Sequence, residues 1–598
     1  MRRLVLVLTL VALLAPVQRP VAAPAAPGPR RANIPYFASQ VDWAQSAIFW
    51  FGQNKQGVPS RNYADVRLAY TAQALRVHVL VVDYYLWYNE DPQPNHDLTQ
   101  YDAVTLYLDT HHDRMATPQS DDYYFLSALH LYPVEDAPEY RRQARGTGSG
   151  WNTAWSGTWT DTVGWQWSDN GPNDNSGNID YGWVAIFTVP WSTLGLAGPP
   201  STGTVWGLGV QLHDRDGYPP AGYVAPDYWP ETFLTGNPST WGELHFGNAG
   251  YQPPSAVPEG TTIIRAATPL DNTVEDAWMG GGGWCYSGHE GHAEDNHGDD
   301  VALYVGSEIQ PTHFPCYNKS YLRFALNSLP PGKVIISATL TLHHWGGADV
   351  AAGTSSYVWL SSVTDTWDEM TIHWNNAPLA QENFSMTRIP PKTTELEWPG
   401  DPYTWDATKA VAEAYAAGQP VSFAMYDSTT GRDSSKYLTS SETGLGDPPD
   451  YWNWNIEGRP KLTIAWGKAA ATINKDVWPV TPTTGQRVTY TLSLVGSGQA
   501  LTLTDNLPAQ VSAPGPIQVT GGPAANYNAG AHRLTWQGSP TSGQPVTITF
   551  PVTVSTQVSG SLAVLNTAVM TDTAGNVSTD AALFIVNAYR VWLPIVRR

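Results

Sequence analysis

Tryptophans set among small polar residues are the side chains of this sequence that most clearly suggest a chemistry. The chain has 598 residues and contains 27 Trp and 30 Tyr, although only 14% of its residues are charged. Five of the tryptophans fall in one stretch rich in Gly, Ser, Thr and Asn: Trp151, Trp155, Trp159, Trp165 and Trp167. The flat apolar face of an indole can stack on a sugar ring while polar neighbours hydrogen-bond to the hydroxyls at its edge. The pattern therefore indicates carbohydrate binding.

Two groups of aromatic residues are the candidate carbohydrate-binding residues. Trp87 and Tyr88 lie where a predicted strand runs into a polar loop, and the loop ends of β-sandwiches often carry ligand-binding groups. The alternative for both residues is that their rings close the end of the sandwich as part of its apolar core. Trp151, Trp155 and Trp159 share a four-residue spacing, which in a strand places all three on one side. An exposed row would form a stacking platform, whereas an inward-facing row would be ordinary core, as most buried tryptophans are.

Several carboxylates have the spacing of calcium ligands. Asp109, Asp113 and Asp122 bracket a loop that follows a predicted strand, and Ca²⁺ prefers carboxylate oxygens. Asp214 and Asp216 either complete the same site or form a second one. A solvated acidic turn is the alternative for both groups, because aspartate also favours turns. We expect a structural calcium ion at these five residues.

The two cysteines of the chain, Cys285 and Cys316, predict a disulfide in an oxidising compartment. A metal site is the alternative, because His289, His292 and His297 lie between them. No HExxH pattern is present, so a polar loop closed by a disulfide is the preferred interpretation.

Enzyme motifs are missing from the sequence, which contains no GxSxG elbow, P-loop or dinucleotide-binding fingerprint. Glycosidases need two carboxylates in a cleft, and acidic residues are plentiful, so a polysaccharide hydrolase or lyase built on a sandwich stays an alternative. A structural cell-surface protein is a second one. We expect polysaccharide recognition without catalysis.

Charge and hydropathy restrict the partners and the location. The net charge of −21, with no basic patch, disfavours nucleic acid and anionic membranes. Residues 1–25 have the pattern of a signal peptide: Arg2 and Arg3, an apolar run over 4–16, and small residues at 23–25. No later segment is apolar and long enough for membrane insertion. We expect a secreted protein, extracellular or associated with the cell surface.

The elements that must position these residues are short strands with period-two alternation, such as 75–83, 104–109 and 183–190. They predict an all-β chain of three successive β-sandwich domains over 33–250, 261–467 and 469–587, with a tail over 588–598. One short helix is expected in the middle domain, with Asp406 as N-cap, a body over 407–417 and Gly418 after its end.

The first domain resembles the family 9 carbohydrate-binding modules. The matching residues occur in order along about 210 residues, among them Asp42-Trp43, Tyr101-Asp102, Val189-Pro-Trp-Ser192 and Trp241-Gly-Glu-Leu-His-Phe-Gly247. The resemblance implies a β-sandwich that binds sugar chains without hydrolysing them and often contains structural calcium.

The other two domains also resemble known families. The middle one is similar to the DNRLRE-type domain, which is related to family 96 carbohydrate-binding modules, in runs such as Tyr321-Leu-Arg-Phe324, Thr371-Ile-His-Trp-Asn375 and Ser440-Ser-Glu442, although the eponymous motif itself is absent. The third resembles the DUF11-type immunoglobulin-like domains through matches such as Thr504-Asp505 and Asn566-Thr-Ala568. That resemblance implies a spacer.

Overall fold

The structure is a computed structural model of the chain, and it describes residues 28–588 with internal gaps. The gaps comprise residues 56–59, 131–136, 166–174, 176, 178, 181, 249, 255, 269–270, 282–291, 308–316, 348–352, 393–398, 430–433, 444–455, 497, 542–543 and 574. The predicted signal peptide, residues 589–598 of the tail and both cysteines of the predicted disulfide lie outside the described residues.

Within the described residues, the N-terminal module has fourteen strands. They are β1 (Arg31–Ile34), β2 (Tyr36–Phe37), β3 (Ala47–Lys55), β4 (Arg61–Thr71), β5 (Ala74–Val82), β6 (Ala103–Asp109), β7 (Asp122–Ala128), β8 (Arg141–Gly146), β9 (Trp151–Asn152), β10 (Thr160–Trp165), β11 (Trp183–Pro190), β12 (Val205–Arg215), β13 (Tyr223–Trp229) and β14 (Gly242–Phe246).

These strands form two packed sheets. One has the order β10-β11-β5-β4-β2, with β3 on β4, and the other runs β1-β14-β12-β6-β7-β8-β9, with β13 on β12. The alternation Trp183-Val-Ala-Ile-Phe-Thr-Val-Pro190 buries every second residue of β11, as period two requires. The core lies between the sheets and includes Trp183, Trp206 and Phe246.

The middle module contains eleven strands and the one α-helix of the described chain, α1 (Thr408–Ala417). Its strands are β15 (Ala256–Ile264), β16 (Val274–Gly280), β17 (Ala302–Ser307), β18 (Tyr317–Phe324), β19 (Val334–Gly347), β20 (Ser356–Val363), β21 (Glu382–Ile389), β22 (Asp401–Asp406), β23 (Val421–Asp427), β24 (Lys436–Thr439) and β25 (Lys461–Ala469).

One sheet of this module has the order β16-β18-β23-β20-β21, and the other joins β15, β25 and β19 with β22 and β24, while β17 pairs with both β18 and β24. Strand β15 begins at Ala256, five residues before the predicted start of the middle domain at residue 261. The predicted helix is present and ends at Gly418, which has a φ of 66°. Its start differs by one residue, because Ala407 and not Asp406 occupies the N-cap position, although the Asp406 carboxylate still accepts a hydrogen bond from the Thr408 N–H at 2.9 Å.

The C-terminal module is a sandwich with nine strands in the part of the chain that the structure describes. They are β26 (Thr472–Trp478), β27 (Arg487–Val495), β28 (Leu501–Asn506), β29 (Gln518–Thr520), β30 (Asn526–Asn528), β31 (Arg533–Gly538), β32 (Val546–Thr553), β33 (Leu562–Asp572) and β34 (Val577–Val586). The sheet orders are β26-β27-β32-β29 and β30-β31-β28-β33-β34.

The first two modules share an apolar cluster between them. Strand β3 contributes Ile48 and Trp50, while β18, β20 and the following loops contribute Tyr321, Trp359 and Trp374. The Trp50 ring lies edge-on to Trp374 at 5.4 Å between centroids, and the Trp359 indole N–H donates to the Ser46 carbonyl at 2.7 Å. Because residues of both modules lie in this one buried cluster, the two modules form one packed unit.

The predicted fold class is confirmed. Strands account for 51% of the chain and helices for 6%, and the sheets form sandwich-like domains. Among the described residues, no helix combines the length and the apolar character needed to cross a bilayer.

Candidate carbohydrate-binding groove and carboxylate clusters

An open groove lies in the N-terminal module between the start of β8 and the turn after β9, with a volume of about 600 Å³. We call it the Trp155 groove. Its lining combines aromatic rings with hydrogen-bonding side chains: Tyr124, Glu139, Arg141, Arg142, Gln143, Thr153, Trp155, Ser156 and Trp159. Its volume falls within the range of about 300–1,000 Å³ that is typical of small-molecule sites.

Trp155 supplies a partly exposed ring in this groove. Its indole packs on Tyr123 and Phe125, with ring centroids 5.3 and 6.3 Å apart. Gly157 permits this position, because a Cβ atom there would lie 2.6 Å from both the Trp155 ring and the Thr193 side chain. The ring is therefore held on one side by the core and remains accessible on the other.

Trp159 forms the floor of the groove together with Arg141. The Trp159 ring is buried and lies nearly parallel to Phe187, with centroids 5.8 Å apart. The Arg141 guanidinium lies 5.5 Å from the Trp159 ring centre and donates to the Trp159 carbonyl at 2.8 Å. Its Nε is also 3.6 Å from an Asp161 carboxylate oxygen. These contacts fix the cation in place.

Gln143 offers a hydrogen-bond donor beside the exposed ring. Its Oε1 accepts from the Gly157 N–H at 3.2 Å, while within the described chain its side-chain nitrogen has no acceptor. Arg142 is already engaged, since it donates to the carbonyls of Glu139, Gln93 and His96. The groove thus combines an apolar plane with an amide donor that has no acceptor, which is the arrangement a pyranose ring requires.

The other predicted aromatic residues lie elsewhere. Trp151 is partly buried in a separate cluster on the outer side of the sheet, where it stacks on Trp241 with centroids 6.4 Å apart. Trp87 and Tyr88 are buried at 5% and 8% exposure. Of the five predicted residues, the groove therefore brings together Trp155 and Trp159.

One carboxylate cluster lies at the end of β6 and the start of β7, where Asp109, Asp121 and Asp122 have oxygens within 4.8 Å of one another. Asp109 accepts from the backbone N–H groups of His112 and Arg114 at 2.6 and 3.2 Å. Burial raises the pKa of Asp122 to about 8, and one of its oxygens is buried without a hydrogen-bond donor. Three close carboxylates with an unpaired oxygen fit a divalent cation such as Ca²⁺.

Asp113, which the sequence predicts as a ligand of this site, is exposed and does not belong to the cluster. Its carboxylate accepts from the Met115 N–H at 3.2 Å, as in a turn. Asp121 takes its place because β7 pairs with β6 in a register that sets Asp109 opposite Asp122.

A second cluster consists of Asp83, Asp102 and Asp214, whose oxygens also lie within 4.8 Å of one another. All three are buried, and burial followed by mutual repulsion raises the pKa of Asp83 and of Asp102 well above the usual range. One oxygen of Asp214 has no hydrogen-bond donor. A bound cation would replace the protons that these carboxylates otherwise need.

Asp216 lies next to this second cluster but is engaged elsewhere. Its carboxylate accepts from the N–H and the hydroxyl of Ser60, the latter at 2.8 Å. Its charge contributes to the raised pKa of Asp214. The predicted pair of Asp214 and Asp216 is thus divided between the carboxylate cluster and a contact with Ser60.

Several residues of these sites escape sequence reasoning. Arg141 and Gln143 were missed because they lie in the run Tyr140-Arg-Arg-Gln-Ala-Arg145, which alternates too weakly to be recognised as a strand. Asp83 directly follows the end of β5, and Asp102 directly precedes the start of β6. The signal available for them was that each lies beside a strand end, where the loops of a sandwich converge.

Comparison with known families matches part of the middle module. Residues 285–451 match the family model of Carbohydrate-binding module family 96. This stretch lies in the middle module and supports a carbohydrate-binding module there. The chain matches no curated protein.

Comparison with solved structures finds similar chains of low identity. A family 9 carbohydrate-binding module from Caldicellulosiruptor kristjanssonii in complex with cellotriose is 18% identical, covering 39% of this chain and all of that one, with a TM-score of 0.26. A family 9 module from the same organism in complex with glucose is 19% identical. It covers 37% of this chain and 98% of its own, with a TM-score of 0.26. A putative carbohydrate-binding protein from Bacteroides uniformis is 12% identical, with 37% and 100% coverage and a TM-score of 0.24.

Proposed function

We propose that this chain is a secreted carbohydrate-binding protein that recognises a neutral polysaccharide in the Trp155 groove without catalysing a reaction on it. The observation that carries the proposal is the partly exposed Trp155 ring beside the Gln143 amide, with Arg141 fixed across Trp159. The family 96 match over 285–451 supports carbohydrate binding by a second part of the same chain.

The groove explains how binding would work. One sugar ring stacks on the accessible face of Trp155, because its axial C–H groups present an apolar face to the indole. The Gln143 nitrogen donates to a ring hydroxyl, and the polar side chains of Thr153 and Ser156 bond to further hydroxyls. Because the groove is open, a chain can extend beyond the bound ring.

The composition of the lining favours recognition over hydrolysis. Among the described residues that line the groove, Glu139 carries the one carboxylate. Glycoside hydrolysis ordinarily uses two carboxyl groups, one as acid and one as base or nucleophile. Binding without catalysis is therefore the function that these residues support best.

Calcium has a structural role in this proposal. Asp109, Asp121 and Asp122 would hold one ion, and the cluster of Asp83, Asp102 and Asp214 would hold another. A cation at either site would neutralise buried carboxylates and fix the loops between strands of the N-terminal module. Neither cluster contributes a residue to the lining of the groove.

Secretion is supported by the sequence alone. Residues 1–25 have the charge, apolar run and small-residue pattern of an export signal. A location outside the cell brings the groove to its polysaccharide and supplies calcium at concentrations that weak structural sites need.

The test is titration calorimetry of the full chain with cello-oligosaccharides and with a panel of other neutral glycans. Wild-type protein is expected to bind at least one of them, and Trp155→Ala to weaken that affinity about 100-fold by removing the stacked ring. Trp151→Ala is the matched control, since Trp151 is another partly exposed tryptophan of the same segment that lies outside the groove. Equal losses in both variants, or an unaffected Trp155→Ala, would contradict the proposed site.

A further inference from the structure

The core of the C-terminal module contains a lysine and an aspartate that face each other across the sandwich. Lys475 lies on β26 in one sheet, and Asp505 lies on β28 in the other. Lys475 Nζ is 2.6 Å from Asp505 Oδ2, and both side chains are fully buried. A charged pair in an apolar core is costly to desolvate, so its presence there calls for a further reason.

An asparagine completes the arrangement. Asn566 lies on β33, two residues before Ala568, which pairs with Asp505 in the neighbouring strand. Burial raises the pKa of the Asp505 carboxyl and of the Tyr490 hydroxyl, and the Asn566 carboxamide offsets part of that rise in each case, which places it beside both groups. Asn566 is only 1% exposed, yet within the described chain neither its amide oxygen nor its nitrogen makes a hydrogen bond of ordinary geometry.

Unsatisfied buried amides are rare, because losing both hydrogen bonds of a carboxamide is costly. The neighbouring polar groups are in the same state: the buried Tyr490 hydroxyl and the second oxygen of Asp505 also have no hydrogen-bond partner of ordinary geometry. The cluster therefore has the composition of a reaction centre: an amine, a carboxyl group that can move its proton, and a carbonyl carbon.

We infer that Lys475 and Asn566 become joined by an amide bond between their side chains, with Asp505 transferring the protons. The ammonium of Lys475 first gives a proton to the Asp505 carboxylate. The neutral amine then attacks Asn566 Cγ, forming the new C–N bond. A second amine proton passes through Asp505 to the amide nitrogen, the old C–N bond breaks, and ammonia leaves. Three protons enter on the amine and three remain, one each on the new amide, the departing ammonia and Asp505.

Two properties of the site favour this step. Burial lowers the pKa of Lys475 to about 8, so that a neutral, nucleophilic amine is accessible near neutral pH. The sandwich holds the groups together, and effective molarities of about 10⁵–10⁸ M are reached when reacting groups are fixed in a suitable orientation. Release of ammonia into solvent then makes the step hard to reverse.

Peptide mass spectrometry of the folded full chain tests the inference, because a peptide mass is independent of processing at either end. A protease digest is expected to contain one branched peptide that joins the segments of Lys475 and Asn566. Its mass equals the sum of the two segments less one ammonia, about 17 Da. Separate, unmodified peptides would overturn the inference. So would a loss of about 18 Da, since loss of water would mean that a carboxyl group, and not Asn566, had reacted.

Variants separate the roles of the three residues. Asn566→Ala and Asp505→Asn are each expected to give separate peptides of full mass. Lys468→Met is the matched control, because Lys468 is an exposed lysine outside the cluster, and this variant should retain the branched peptide. Should a core variant fail to fold, the wild-type digest still decides the outcome.

Discussion

The N-terminal and middle modules each contain a cleft of similar size, but the chemistry of the two clefts differs. The Trp155 groove has a volume of about 600 Å³, and the cleft beside α1 one of about 640 Å³. The second cleft is lined mainly by apolar groups such as Leu326, Leu329 and Pro331. The hydroxyl of its one aromatic residue, Tyr415, is occupied, because it donates to the Pro330 carbonyl and accepts from Lys333 N–H.

The two modules also differ in how their buried acidic side chains are arranged. In the N-terminal module, two sets of three carboxylates converge closely enough for one cation each. In the middle module, Asp276, Glu369 and Glu442 are near one another, but three of their oxygens do not converge within that distance. Cleft volume and acidic content therefore do not identify a site, whereas the arrangement of donors and ligands does.

The largest expected effect concerns calcium. Removing it with EDTA is expected to lower the melting temperature by several degrees, because a free ion at about 100 times its Kd stabilises the fold by about 2.7 kcal/mol. Asp214→Asn should reduce this response, while Asp276→Asn in the middle module should leave it unchanged. Calorimetric melts with and without EDTA measure both. An equal response in all three proteins would show that the cluster of Asp83, Asp102 and Asp214 binds no ion that stabilises the fold.

A smaller effect is expected from Gly157→Ala. The added Cβ would overlap the Trp155 ring, so the ring must move and the affinity for a bound glycan should fall about tenfold. Gly198→Ala is the matched control, because a Cβ at that position has no neighbour within 4 Å. Titration calorimetry compares the two variants, and equal affinities would mean that the position of Trp155 does not matter for binding.

The pH dependence of the middle module follows from its acids. Burial, with a further contribution from the Glu442 charge, raises the pKa of Glu369 to about 7. A carboxyl whose pKa is raised on folding stabilises the fold at low pH. This contribution is lost as the pH rises from the unfolded value to about 7.

We therefore expect the free energy of unfolding to fall between pH 5 and pH 7.5. Glu369 is expected to account for on the order of 1 kcal/mol of this decrease in the free energy of unfolding, after allowance for its partial exposure. Glu369→Gln should flatten the profile, and Asp368→Asn, at an exposed neighbour, should not. Urea unfolding across this pH range in the presence of calcium measures the profile. A stability that rises with pH to the same extent in all three proteins would contradict the assignment.

The smallest effect is expected at the apolar cleft. A double variant, Asn327→Ala with Gln419→Ala, removes the exposed polar side chains that line it. Because this cleft offers no aromatic ring with a free donor beside it, the affinity for a glycan bound in the Trp155 groove should change less than about twofold. A larger loss in a calorimetric titration would show that the middle cleft takes part in binding.

The regular elements could be predicted from sequence because each depends on a local signal. The strand predicted over 183–190 and the helix ending at Gly418 match β11 and α1, since alternation and a C-terminal glycine act within a few residues. The positions of single tryptophans were not predictable in this way. Even spacing would place Trp151 and Trp155 on one face, but β9 ends at Asn152 and a turn follows, so the two rings lie in different clusters.

Contacts between distant segments were also beyond local reasoning. Asp83, Asp102 and Asp214 converge only because β5 and β12 end where β6 begins, and no sequence spacing encodes that meeting. One signal was available for the contact between modules. The run Ala47-Ile-Phe-Trp-Phe51 is apolar without alternation, which is typical of a strand buried on both faces.

That doubly buried strand determines how small a soluble fragment can be. A fragment that ends at residue 250 would expose Ile48, Trp50 and Tyr63 to water as one contiguous apolar patch, together with Leu80 and Val82. Such a fragment would self-associate, and its aggregation would obscure any glycan measurement made on it. The shortest piece suitable for a binding assay therefore extends through β25, to Ala469.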